Sequence, residues 1–155
     1  MKSGKEPALP DARVSTQVTI AATPANVWRY LSELKYHYLW NPHLTHLSPL
    51  GSLKPGSTYS ATSLLFGIKI KALNKVIKLK PSKQLVIQND NGTLIYIITY
   101  TLSPQGKKTL LKCRISVRPQ HPAFAFAAPV LETFARHELQ ADLQSLKVAV
   151  EQKLG

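Results

Sequence analysis

Acidic side chains are scarce in this chain. Eight Asp and Glu stand against twenty Lys and Arg in 155 residues, giving a formal charge of +12 and a pI near 10.0. The carboxylates are scattered as Glu6, Asp11, Glu33, Asp90, Glu132, Glu138, Asp142 and Glu151, and no two of them read as an acid/base pair poised inside a pocket. Cysteine is scarcer still. The single Cys113 excludes an internal disulfide and suits a reducing compartment. No stretch approaches the roughly 18 uninterrupted apolar residues of a membrane span. The opening MKSGKEPALPDA also lacks the apolar run of a secretory signal. The expectation is a soluble, cytoplasmic protein, with residues 1–12 as a disordered tail and 13–155 as a single domain large enough to bury a core.

What is abundant is positive charge, and such a field favours polyanions: nucleic acid, an anionic membrane surface or an acidic ligand. The cations cluster on strand-like segments, Lys69, Lys71 and Lys75 in one and Lys112 and Arg114 in another. These five are the candidates for anionic-surface binding. The plainer reading is that they are outward strand residues that keep a sheet soluble. No aromatic residues interleave them, as a single-strand binder requires, so nucleic acid is not expected as a partner.

The periodicity of the chain is organised around its C-terminal stretch, His121–Gly155. Phe124, Ala127, Leu131, Phe134, Ala135, Leu139, Leu143, Leu146 and Val150 recur every three or four places, the spacing of an amphipathic helix. Pro129 should kink that helix or delay its regular part. Upstream, Arg13–Ala21 alternates as a half-buried strand. Thr23-Pro24 supplies an N-cap and a first-turn proline to a short helix whose packing face includes Val27, Trp28 and Leu31. A second short turn over Tyr36–Trp40 is stopped by Asn41-Pro42. Further strands are expected over Leu44–Leu50, Thr58–Leu65, Ile68–Lys80, Gln84–Asp90, Leu94–Ser103 and Leu110–Arg118, with turns at Leu53–Gly56, Asn89–Gly92 and Pro104–Gly106. In Ile68–Lys80 the alternation puts Ile68, Ile70 and Ala72 inward, then slips at Val76-Ile77, where a bulge is expected. Leu94–Ser103 is apolar on both faces and its facing stays open. In Leu110–Arg118, Leu111, Cys113, Ile115 and Val117 point inward. The fold class is α+β: a curved antiparallel sheet of about six or seven strands around a long C-terminal helix, with two short helices after the first strand.

The order strand, ThrProAlaAsnValTrp, then Trp40-Asn41-Pro42 resembles the polyketide cyclase/dehydrase and lipid-transport family of the START-like, helix-grip superfamily. LysProGly at 54–56, Thr109 opening the last strand and AspLeuGlnSerLeuLys at 142–147 extend the resemblance from Val14 to Leu154. The resemblance implies a helix-grip fold and a cavity between sheet and helix, in members that bind sterols, phospholipids, polyketides, quinones or plant hormones. It does not imply one reaction.

Residues expected to line such a cavity are Trp40, Tyr59, Phe66, Tyr96, Tyr100, Phe124, Leu131 and Phe134. A tyrosine there can lay its ring on hydrocarbon and aim its hydroxyl at one polar group. Catalytic residues are not assigned. His137 and Glu138 read as surface or rim, and Cys113 as a buried structural thiol. His43 and His46 fall on opposite faces of a strand, so no metal site is expected, nor any cofactor. The leading expectation is non-catalytic binding or transport of a small hydrophobic or amphipathic molecule. A cyclase/dehydratase-type enzyme is the alternative, and a binder of anionic membrane or nucleic acid through the basic sheet face the second alternative. Oligomeric state is left open.

Overall fold

The computed structural model describes residues 12–65, 67–122 and 128–154. Its strands are β1 (Ala12–Ile20), β2 (Leu44–Ser48), β3 (Thr58–Leu65), β4 (Ile68–Lys80), β5 (Gln84–Asp90), β6 (Leu94–Gln105) and β7 (Lys108–Pro119). Its helices are α1 (Pro24–Ser32), α2 (His37–Trp40, preceded by a 3-10 turn over Leu34–Tyr36) and α3 (Ala128–Leu154). The strands form one antiparallel sheet in the order β1-β7-β6-β5-β4-β3-β2. Apart from β1, which returns beside β7, neighbours in sequence are neighbours in the sheet, as tight turns between successive strands dictate.

Local chemistry sets these elements. Thr23 Oγ1 accepts from Asn26 N at 3.3 Å, and Pro24 follows it in the first turn of α1. Asn91 Oδ1 accepts from Thr93 N and Leu94 N at 3.0 and 2.8 Å, and Gly92 supplies the positive φ of 90° that the β5–β6 turn needs. The slip at Val76-Ile77 is a bulge: the β4–β5 register shifts between Val76 and Lys78. Ile77 is thereby turned outward, 51% exposed.

Three expectations change. Ile68, expected inward, is 64% exposed because it lies at the β3–β4 turn, beyond the reach of the layer below. β6 continues through Pro104 to Gln105, and the turn falls at Gly106-Lys107. Beyond Thr101, β6 has lost its ladder to β5 and keeps only β7, so a residue without N–H is tolerated there. Trp28 is half-buried against the core, and Tyr30 rather than Trp28 is the buried aromatic of α1. Pro129 falls in the first turn of α3 as described, where a missing N–H breaks no helical bond.

The core lies between the concave face of the sheet and the helices. Leu139, Leu143, Leu146 and Val150 of α3 are buried against Val14, Ile20, Leu111 and Val117. Each such side chain contributes roughly 1.5–3 kcal/mol by leaving water. The C-terminal half of α3 is tied to the end of β1. Lys147 Nζ donates to Thr19 O at 2.8 Å and pairs with Glu151, whose Oε2 accepts from Ala21 N at 2.7 Å.

The end of α1 is buried, so its last four carbonyls need partners. All four find them. Arg29 O accepts from Glu33 N, and Ser32 O from Leu53 N. Tyr30 O accepts from Trp40 Nε1 at 3.0 Å, and Leu31 O from the His37 ring at 2.8 Å. The short helix α2 therefore works as a side-chain cap on α1, and it fixes the corner from which one wall of the interior is built.

Candidate functional site

The sheet and α3 meet tightly toward the C-terminal half of the helix and leave space toward its other half. The space has two adjoining compartments. The larger, about 190 Å³, lies under the N-terminal half of α3, between Phe134, Ala135, Glu138, Leu139 and Asp142 and the sheet residues Ile70, Tyr96, Ile98 and Ile115. The smaller, about 100 Å³, lies deeper, against Trp40, Tyr59, Asn74, Ile87 and Tyr100. Asn41, Ala61, Ser63, Asn89 and Ile98 line both.

Alternation brings the sheet residues here. Ile70, Ala72 and Asn74 occupy successive inward places of β4, and Tyr96, Ile98 and Tyr100 those of β6. The facing of β6, ambiguous in the sequence, is thus resolved with both tyrosines inward. Of the expected lining residues, Tyr96 and Phe134 border the larger compartment and Trp40, Tyr59 and Tyr100 the smaller. Phe66 and Phe124 lie outside the described residues, as does the side chain of Leu131. The five basic candidates, Lys69, Lys71, Lys75, Lys112 and Arg114, are exposed on the opposite, convex face. His46 is exposed while His43 lines the larger compartment, so the two histidines do diverge. Among the described residues no group of three or more His, Cys, Asp or Glu could hold a metal ion.

The acids extend the expectation. Glu138, expected at the surface or rim, is 31% exposed at its side chain and borders the larger compartment, with its Oε2 3.1 Å from His43 Nε2. One helical turn further on, Asp142 lines the same wall, and its Oδ1 is buried without a hydrogen-bond partner among the described residues. Burial, reinforced by Glu138, pushes the Asp142 carboxyl up to about 7. Two carboxyls therefore do converge on the cavity. The signal in the sequence was their position immediately before Leu139 and Leu143, at the border of the apolar stripe.

Asn74 and Asn89 join the site without having stood out in the sequence. They face each other across the β4–β5 ladder, and Asn89 Nδ2 donates to Asn74 Oδ1 at 2.7 Å. Asn74 is only 3% exposed, and its Nδ2 has no partner among the described residues. A polar residue in an inward place of an otherwise clean alternation was the available signal.

Other ionisable groups in the interior are held neutral. Burial pushes the hydroxyls of Tyr59 and Tyr100 and the thiol of Cys113 up. Burial also holds His37 down to about 4, against a smaller upward pull from its bond to Leu31 O. His37 is thus a neutral donor to α1. A neutral thiol is a poor nucleophile, and Cys113 packs as a small apolar side chain.

A seven-stranded antiparallel sheet curved around a C-terminal helix, with short helices after the first strand, defines a helix-grip protein. The chain belongs to the polyketide cyclase / dehydrase and lipid transport family, whose sequence profile matches residues 11–151. Among solved structures it is similar to the Zhui aromatase/cyclase from Streptomyces sp. R1128, at 14% identity and a TM-score of 0.80, over 94% of this chain and 97% of that one. It is similar to a START superfamily protein from Mycobacterium smegmatis, at 19% identity and a TM-score of 0.77, over 90% and 97% of the two chains. A protein from Thermus thermophilus matches at 15% identity and a TM-score of 0.77, over 94% of this chain and 100% of that one. At these identities the likeness is one of fold. No curated protein matches the chain.

Proposed function

We propose that the protein binds and releases, without chemical change, a small and largely apolar molecule carrying a few hydrogen-bonding groups. The observation that carries this reading is the interior space between sheet and α3, apolar along Ile70, Ile98, Ile115, Phe134 and Leu139 and bordered by a small number of convergent polar groups. That is the make-up of a small-molecule site. Tyr96, Tyr100, Tyr59, Trp40 and Phe134 are the aromatic contacts in this reading. The neutral state of Cys113 and the buried tyrosines supports carriage over nucleophilic chemistry.

Ala61 borders both compartments and tests the reading directly. Ala61→Leu places extra methyl groups where the two meet. Retained small molecules, detected by native mass spectrometry and identified after solvent extraction, are expected to fall at least about tenfold in occupancy, a loss of about 1.4 kcal/mol in binding. The thermal midpoint should hold or rise, because the new side chain occupies empty space. Unchanged occupancy in a folded A61L protein would place the ligand elsewhere.

A second reading rests on Asp142. A carboxyl poised near neutrality beside Glu138 has the pKa of a general acid or base. Under this cyclase/dehydratase alternative, turnover of a cavity-bound substrate would vanish in Asp142→Asn while binding persists.

The convex face supports a further role for the same carrier, docking on anionic lipid. Lys69, Lys71 and Lys75 share the outward face of β4 with Leu73, 59% exposed, and lead to Ile77, 51% exposed. Lys112 and Arg114 stand on β7, three strands away, or roughly 14 Å at the usual strand spacing. Each cation near an anionic bilayer contributes about 1 kcal/mol. Reversing Lys69 and Lys71 to Glu should therefore weaken co-sedimentation with phosphatidylserine-containing vesicles by about tenfold or more. Absence of sedimentation by the unaltered protein at low salt would remove this role.

A further inference from the structure

The protein is strongly basic, yet its cavity is not. Among the described residues lining the two compartments there is no Lys or Arg, whereas Glu138 and Asp142 both contribute carboxyls. His43 is directed to Glu138, and His37 is neutral and bonded to Leu31 O. An anionic head group entering this space would lose its hydration and meet negative charge with no cation to pair with. The strand cations Lys69, Lys71, Lys75, Lys112 and Arg114 lie on the other side of the sheet.

The deeper compartment offers something more specific. The side-chain amides of Asn74 and Asn89 bond to each other once, at 2.7 Å, which leaves one amide half on each residue. In either orientation of the two amides, the remaining groups are one NH2 donor and one carbonyl acceptor. The half left on Asn74 is buried and without a partner among the described residues. A buried polar group in that condition is costly to the free protein and is relieved by a ligand that completes it.

We infer that the Asn74–Asn89 pair is the polar anchor of the cavity, and that it selects an uncharged head group able both to donate and to accept a hydrogen bond: a hydroxyl or a carboxamide. A carboxylate accepts only, so it satisfies half of the pair and adds an unpaired charge. A plain hydrocarbon satisfies neither. The inference rests on the cavity being the ligand site, and it assigns the chemistry of the ligand's polar end.

Four probes on one skeleton test it: 4-phenylbutan-1-ol, 4-phenylbutanamide, 4-phenylbutanoate and butylbenzene, titrated by calorimetry at pH 8. The alcohol and the amide are expected to bind at least about tenfold more tightly than the carboxylate, the difference of one unmet hydrogen bond to a buried group. Asn74→Leu should erase the preference of the alcohol and amide over butylbenzene while leaving butylbenzene bound. Asn89→Leu should do the same, and the ratios in the unaltered protein need neither variant. Equal affinity for the alcohol, amide and carboxylate, with butylbenzene also bound, would overturn the anchor but leave the cavity as the ligand site. Failure of all four, butylbenzene included, would overturn the cavity reading and the anchor together.

Discussion

Trp40→Ala is expected to destabilise the protein by about 4–8 kcal/mol, read as a shift in the urea midpoint, and to leave it close to unfolding. Two losses add. The first is the buried indole, 3% exposed, which lies 4.8 Å from the His37 ring and meets Tyr100 edge-on at 6.3 Å. Truncating a buried Trp or Phe to Ala typically costs about 3–5 kcal/mol. The second is the hydrogen bond from Nε1 to Tyr30 O, whose removal leaves a buried carbonyl at the end of α1 without a donor, at about 1–3 kcal/mol. Trp40→Phe separates the two, because it keeps much of the packing and still removes the donor, so about 2–3 kcal/mol is expected for it. A cost below about 2 kcal/mol for the alanine variant would mean that α1 does not depend on α2 for its cap. The same residue borders the deeper compartment, so its role in shaping the site is inseparable from its role in holding the corner.

Much of this architecture was legible because turn chemistry brackets the strands. Thr58–Leu65, Ile68–Lys80 and Gln84–Asp90 have the same bounds in sequence and structure, since Gly56, Gly67, Pro81-Ser82 and Asn91-Gly92 leave little choice. The bulge near Ile77 was readable because a slip of alternation in a paired strand has few other outcomes. The end of β6 was not, because Pro104 reads as a breaker unless one knows that β5 has already ended beside it. In the cavity the common face of Tyr96 and Tyr100 was legible, though not which side of β6 it would take, and the polar groups were not, for a geometric reason. Tyr96 and Tyr100 follow the two-residue period of a strand. Glu138 and Asp142 instead sit at the border of a helical stripe, where the sequence pattern leaves open whether the sheet or solvent lies opposite. Trp40 carried a resemblance to ligand-binding folds, but its hydrogen bond to Tyr30 O depends on how two helices meet, which no local pattern records.

Asp142→Asn is expected to stabilise the protein at pH 8 by about 2–4 kcal/mol and to change it by less than about 1 kcal/mol at pH 4. The folded protein holds the Asp142 proton up to about 7, against an ordinary value of 3.8. Its contribution is therefore fully present below the unfolded value and is lost as pH rises through the folded one. Burial is the main cause, and Glu138 on the same helix adds to it. Around it stand Tyr100 of β6 and Cys113 of β7, both neutral, with Tyr59 of β3 next to Tyr100 and His43 paired to Glu138. His37 behaves in the opposite sense. Its folded value is lowered from 6.5 to about 4, so its contribution is present above the unfolded value and is lost as pH falls toward the folded one. Between pH 4 and 6.5 the two slopes oppose each other, and the unaltered protein should show little net pH dependence from this pair. Asp142→Asn removes one slope and reveals the other, so stability in the variant should climb across that window, measured by urea denaturation at several pH values. A variant less stable than the parent at pH 8 would mean that the carboxylate has a favourable partner at neutral pH. An acid that weakens the fold at neutral pH, set in the wall of a cavity, is the pattern of a group whose use lies in what enters the cavity rather than in the stability of the domain.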